Sequence, residues 1–140
     1  MRNPIKSHSP KRDPATGRYT IGGNTPVRVW QVFSKISSVE AEPYRSFKGM
    51  GKSMEEFETK YIRGTFNPRM YDLVFDGRLD ADHNPNCVWD MLQGGRPIEL
   101  SQTMFSLSIG DIIELDGNGK YLMAVAWGFE DVTPYVKGVF

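Results

Sequence analysis

Thiol and imidazole are scarce in this 140-residue chain: one cysteine, Cys87, and two histidines, His8 and His83, far apart in sequence. A single thiol cannot close an intrachain disulfide, so a reducing compartment is the default expectation. Long apolar runs are missing as well. The longest, Tyr121 to Trp127, is too short to cross a bilayer, and no apolar segment follows the basic start as it would in a secretory signal. These absences point to the cytoplasm and to no membrane partner. No Gly-x-Ser-x-Gly elbow and no dinucleotide fingerprint is present. The length excludes a multidomain enzyme. With 14 glycines and 9 prolines, turns are frequent and long helices are disfavoured.

Net charge is zero only because two halves cancel. Residues 1–69 carry 13 Lys/Arg against 6 Asp/Glu, and residues 70–140 carry 4 against 11. Either the surface has a basic and an acidic region, or folding interleaves the halves and the dipole vanishes. Residues 1–25 read as a basic flexible tail: Arg2, Lys6, Lys11, Arg12 and Arg18 stand against Asp13 alone, broken by Pro4, Pro10 and Pro14. Only Ile5, Tyr19 and Ile21 there are buriable, so deleting residues 1–24 is expected to leave the melting temperature nearly unchanged. Lys6, Lys11, Arg12 and Arg18, with Lys60, Arg63 and Arg69 further on, are the candidate contact residues for a polyanionic or acidic partner.

Residues 26–140 read as one α+β domain, a small mostly antiparallel sheet with two short helices. Val27 to Phe33 is a strand in which Val27, Val29 and Gln31 alternate with Arg28, Trp30 and Val32. Ser53-Met54-Glu55-Glu56 has the capping-box form and opens a helix closed by Gly64. Tyr71 to Asp76 alternates Tyr71, Leu73 and Phe75 with Asp72, Val74 and Asp76, a half-buried strand. Asn84-Pro85 is an N-cap and first-turn pair for a second helix ending at Gly94-Gly95. Ile112–Leu115 and Tyr121–Ala126 flank Asp116-Gly117-Asn118-Gly119 and predict a hairpin.

Three groups of residues have the form of chemical sites. Gly49-Met50-Gly51-Lys52-Ser53 resembles the end of a phosphate-binding loop, but Ser46 stands where that motif needs glycine. Asp80, Asp82, His83 and Asp90 are metal-ligand types without metal-ligand spacing. Cys87 sits at the third position after Asn84, where a helix dipole would lower its pKa, with His83 nearby as a base. A Cys beside Val88 and Trp89 reads better as core packing, so Cys87→Ser is expected to leave function intact. Trp30, Trp89 and Trp127 read as core, whereas Tyr19, Tyr44 and Tyr135 lie in irregular segments where they could stack on bases.

Three blocks in order resemble the YodL-like domains of phages, plasmids and conjugative elements. Val27-Arg28-Val29-Trp30-Gln31-Val32 is similar to their opening strand. Tyr71 to Leu79 is similar to their Tyr-x-x-Val-Tyr-x-Gly-x-Leu segment. Phe105-Ser106-Leu107-Ser108-Ile109-Gly110-Asp111-Ile112-Ile113 resembles their Ser-Leu-Ser-Val-Ser-Asp-Val-Ile segment, with Gly110 in place of a serine. Trp127-Gly128-Phe129 falls where the family has Gly-Phe. In the third block Leu107 and Ile109 are expected to point inward while the serines bond the local backbone. The resemblance implies genes that often neighbour anti-restriction functions, and it implies no enzymatic activity, cofactor or catalytic residue. The expected function is a non-catalytic accessory protein that binds and inhibits a host defence protein, for example a CRISPR or restriction nuclease in its nucleic-acid-bound complex. The alternatives are a nucleic-acid-binding module using the basic tail and a domain that sequesters a small nucleotide ligand.

Overall fold

In the strand Thr25–Val32 (β1), Val27, Val29 and Gln31 are buried on one face while Arg28 and Trp30 project to the other. Alternation of branched and polar residues in an extended chain produces this two-faced strand. β1 lies between β2 (Tyr71–Leu79) and β3 (Ile112–Leu115), and β4 (Tyr121–Val125) and β5 (Gly128–Asp131) complete an antiparallel sheet in the order β2-β1-β3-β4-β5. Two short helices, α1 (Pro85–Met91) and α2 (Thr133–Val136), make this the expected α+β domain. The structure is a computed structural model that describes residues 12–32, 71–125 and 128–140. The loop at Gly49–Ser53, the helix expected after Ser53, Tyr44 and Trp127 lie outside the described residues.

The β3–β4 hairpin forms as its sequence predicts, with Ile113 opposite Leu122 and Glu114 opposite Tyr121. Asp116 and Gly117 both have φ of 62° and open the connection between Leu115 and Tyr121, in which Gly119 is also left-handed at 73°. β5 then folds back on β4 through Ala124 opposite Phe129, a strand that Gly128-Phe129-Glu130-Asp131 does not announce by composition.

β2 departs from the expected alternation. Val29 pairs with Phe75 but Trp30 pairs with Leu73, so Val74 is the extra residue of a bulge. The bulge reverses the faces: Phe75 and Leu79 join the core on the Val29 side, while Tyr71 and Leu73 fall on the Trp30 side. Leu73 is consequently 49% exposed, against the expectation that it points inward.

Both faces of the sheet are covered. On one, Cys87, Val88, Met91 and Leu92 of α1 and its C-cap pack with Met104 and Leu107 against Val27, Val29, Phe75 and Ile113. The Asn84 side chain accepts the Asn86 N–H at 2.9 Å and Pro85 opens the helix, as expected, although the helix ends at Met91 rather than at Gly94. On the other face Trp30 stacks on Phe140 at 4.6 Å and meets Tyr121 edge-on at 5.3 Å. Such aromatic pairs contribute about 0.5–1.5 kcal/mol each beyond burial.

Part of the segment read as a tail, residues 12–24, is described and packs on the domain. Arg12 and Tyr19 form a β-bridge around a turn in which the Gly17 N–H donates to the Asp13 carbonyl at 2.7 Å. Tyr19 is 7% exposed, belongs to the core, and donates its N–H to the Gly95 carbonyl at 2.8 Å. Gly23, with φ of 119°, lies so close to Asp80 that a Cβ would come within 2.6 Å of its backbone. One buried aromatic ring and a close glycine contact anchor residues 12–24, which a count of apolar residues undervalues. Residues 1–11 lie outside the described residues.

Candidate binding surface

Met104 and Leu107 are buried, and the two residues between them are pushed outward: Phe105 is 62% exposed and Ser106 is half-buried. The hub that fixes this loop is Gln31 of β1, only 3% exposed. Its Nε2 donates to the Phe105 carbonyl at 3.1 Å and to the Asp111 carboxylate at 2.9 Å, while its Oε1 accepts the Phe105 N–H at 3.1 Å. Asp111, 1% exposed, also accepts the Ser108 N–H at 2.8 Å. Gln93 Nε2 donates to the Leu107 carbonyl at 3.0 Å. A large apolar side chain is therefore held outward by a buried polar network.

The expected packing of this block is half right. Leu107 points inward, but Ile109 is 37% exposed. The serine side chains meet side chains instead of the local backbone: Ser106 Oγ accepts from Arg96 Nη1 at 3.1 Å, and Ser108 Oγ lies 3.4 Å from the Asp111 carboxylate. For Ser108 the cause is Asp111, whose buried carboxylate accepts both its N–H and its hydroxyl.

Two of the predicted contact residues, Arg12 and Arg18, are brought to the same turn, residues 93–96. Arg12 lies over the Tyr19 ring at 4.7 Å, and its guanidinium is 3.7 Å from the place a Gly95 Cβ would occupy. Arg18 Nη1 donates to the Arg96 carbonyl at 3.0 Å. Arg96, which sequence reasoning missed, joins them, its Nη1 donating to the Gln93 carbonyl at 3.2 Å and to Ser106. Lys6, Lys11, Lys60, Arg63 and Arg69 lie outside the described residues.

Elsewhere the charged halves interleave. Arg28 of the basic half donates from Nε to Glu114 of the acidic half at 2.6 Å, and Glu114, 2% exposed, also accepts the Gly119 N–H at 2.8 Å. That hydrogen bond raises the Arg28 pKa above its usual value. Asp76 faces Arg28 across the strand pair, giving a row of alternating sign along the α2 side of the sheet.

The fold supports the core-packing reading of Cys87. Cys87 is buried in the core, and its burial, together with the negative charges of Asp90, Asp82 and Asp80, pushes the thiol pKa up rather than down. His83 Nδ1 engages the Asp116 carboxylate instead. Among the described residues no group of three or more His, Cys, Asp or Glu is placed to hold a metal ion. A shallow cavity of about 190 Å³ is lined by Asn86, Trp89, Ile109, Val125, Gly128 and Phe129. Sites for drug-sized ligands run at about 300–1,000 Å³, so this one suits a side chain better than a nucleotide. Among the described residues no helix is long and apolar enough to cross a membrane.

No family model, curated protein or solved structure matches this chain.

Proposed function

We propose that this chain is a non-catalytic accessory protein of a mobile element, which binds and blocks a host defence complex built on a nucleic-acid-bound nuclease. The resemblance to YodL-like domains supplies the biological context. The observation that carries a binding role is the outward Phe105, 62% exposed on a loop whose backbone Gln31 holds. Interface energy concentrates on rigid aromatic and arginine anchors that lose little freedom on docking. Committing the buried amide of Gln31 to the backbone of an exposed phenylalanine fits a loop built to present that residue at the surface.

The test is protection in cells. Bacteria carrying a CRISPR or restriction nuclease are transformed with a plasmid that the nuclease cuts, with and without this chain. Transformation is expected to rise with the wild-type protein and to return to the unprotected level with Phe105→Ala. Absence of protection against nucleases of both kinds, or protection indifferent to Phe105, would refute the reading.

A further inference from the structure

We infer that the cavity between α1, Ile109 and the start of β5 takes one large apolar side chain of a protein partner, flanked in that partner by lysine or arginine. This goes beyond the function proposed above: it makes no use of Phe105 and stands whether or not the partner is a nuclease. The cavity holds about 190 Å³. Asn86 and Trp89 contribute from α1, where residues three apart share one side of the helix. Ile109 comes from the loop before β3, Val125 ends β4, and Gly128 and Phe129 open β5.

Its walls are set before any partner arrives. Trp89 and Phe129 are partly buried and pack against the core. Ile109 is fixed on both sides: the Ser108 N–H donates to the buried Asp111 carboxylate at 2.8 Å, and the Gly110 N–H donates to the Ala124 carbonyl at 2.8 Å. The Ala124 N–H in turn donates to the Asp111 carbonyl at 2.8 Å. Ile109 is nonetheless 37% exposed, so an apolar side chain stays partly in water at the rim. Nothing lies within 4 Å of the place a Gly128 Cβ would occupy, which leaves that side open. Walls held in this way lose little freedom on docking, so burying one apolar side chain among them gives net affinity.

Charge decides what can flank that side chain. Asp90 lies one turn beyond Asn86 on α1 and is exposed. Asp82 precedes the helix, and the charges of both carboxylates reach the Cys87 thiol, next to Asn86. Neither forms an ion pair among the described residues, where the pairs are Arg28–Glu114, His83–Asp116 and Lys120–Asp131. The nearest basic residues in sequence are engaged elsewhere: Arg78 donates to the Gly23 carbonyl at 3.1 Å, and Arg96 to the Gln93 carbonyl and Ser106. Two carboxylates without counter-ions beside an apolar cavity favour a basic segment and repel an acidic peptide or a nucleic acid.

The experiment is an NMR titration of the isotope-labelled full chain with the end-blocked peptide Arg-Lys-Leu-Lys-Arg. The Trp89 indole N–H and the Ile109 and Phe129 amides are expected to shift and saturate, with half-saturation near about 1 mM at low salt. The Trp30 indole, stacked on Phe140 across the sheet, should stay in place. Serine in place of the peptide's leucine should weaken binding at least about 10-fold, and glutamate in place of its basic residues at least as much. Asp90→Lys should weaken binding about 5-fold. Ile109→Ala should weaken it about 3-fold, with Ile109→Leu near wild type. Each variant is checked for an unchanged melting temperature. Equal binding of the serine or glutamate peptide, affinity indifferent to Ile109 or Asp90, or an unmoved Trp89 indole at about 10 mM peptide would overturn the site. If the same signals shift when the protein alone is concentrated, a second copy fills the cavity and the proposal falls.

Discussion

Replacing Gln31 by leucine tests whether one buried amide holds the outward loop. The substitution keeps volume and strand position but deletes three hydrogen bonds, two to the Phe105 backbone and one to Asp111. Each such bond is worth about 0.5–1.5 kcal/mol net, and a buried acceptor left short of donors costs about 1–3 kcal/mol. Asp111 keeps the Ser108 N–H, and the Phe105 backbone can take water, so the total should be about 3 kcal/mol rather than the sum of the extremes. At this chain length that corresponds to a fall of roughly 10 °C in melting temperature, read by circular dichroism. Phe105→Ala is the control: its side chain is 62% exposed, so its loss should cost less than about 1 kcal/mol. The two variants should then weaken partner binding alike while differing sharply in stability. A drop of less than about 3 °C for Gln31→Leu would refute the claim that this amide braces the loop.

Tyr19→Ala is expected to cost about 3–4 kcal/mol in denaturant unfolding, and removing residues 1–24 at least as much, while Tyr19→Phe should be mild. Cys87 should resist iodoacetamide at about pH 8 in the folded protein and react promptly once guanidinium unfolds it; alkylation at the rate of a free thiol would contradict its raised pKa. Cys87→Ser, with a hydroxyl placed in the core, should lower stability but leave binding of the partner intact. Asp131 has its pKa lowered by hydrogen bonds from the Thr133 side chain and backbone. Its contribution is present above the unfolded carboxyl pKa and fades as pH falls through the lower folded value, below about pH 4. Asp131→Asn should therefore flatten the acid limb of a stability–pH curve slightly, since the group is exposed.

Local signals carried the parts of the fold that depend on neighbours in sequence. Asp116-Gly117 specifies its turn through two left-handed residues, and Asn84-Pro85 specifies a helix start through one cap and one fixed φ, so both could be read directly. The bulge at Val74 could not. It exists because β1 pairs with a strand distant in sequence, and nothing in Tyr71-Asp72-Leu73-Val74-Phe75 marks where the register slips. β5 and α2 were missed for a related reason. Four residues each give too short a window for periodicity, and their stability comes from β4 and from the Trp30–Phe140 stack.

The candidate site was half legible for the same physical reason. Charge counting finds Arg12 and Arg18 because they sit in a basic segment, and it passes over Arg96 because that residue is surrounded by acidic sequence. Gln31 likewise reads as an alternation position in a strand, and Phe105 as an ordinary apolar residue of a Ser-Leu-Ser block. Only the long-range bonds, Gln31 to Phe105 and Arg18 to Arg96, reveal that each of these pairs meets. The sequence separations, 74 and 78 residues, are far beyond what any local pattern can encode. The folded 12–24 segment is what closes the cluster: without the Tyr19 anchor neither Arg12 nor Arg18 would be held against the 93–96 turn. Tyr19→Ala should consequently speed hydrogen exchange at the Gly17 and Tyr19 amides as well as lower the melting temperature, whereas Tyr19→Phe, which keeps a ring under Arg12, should leave both near wild type.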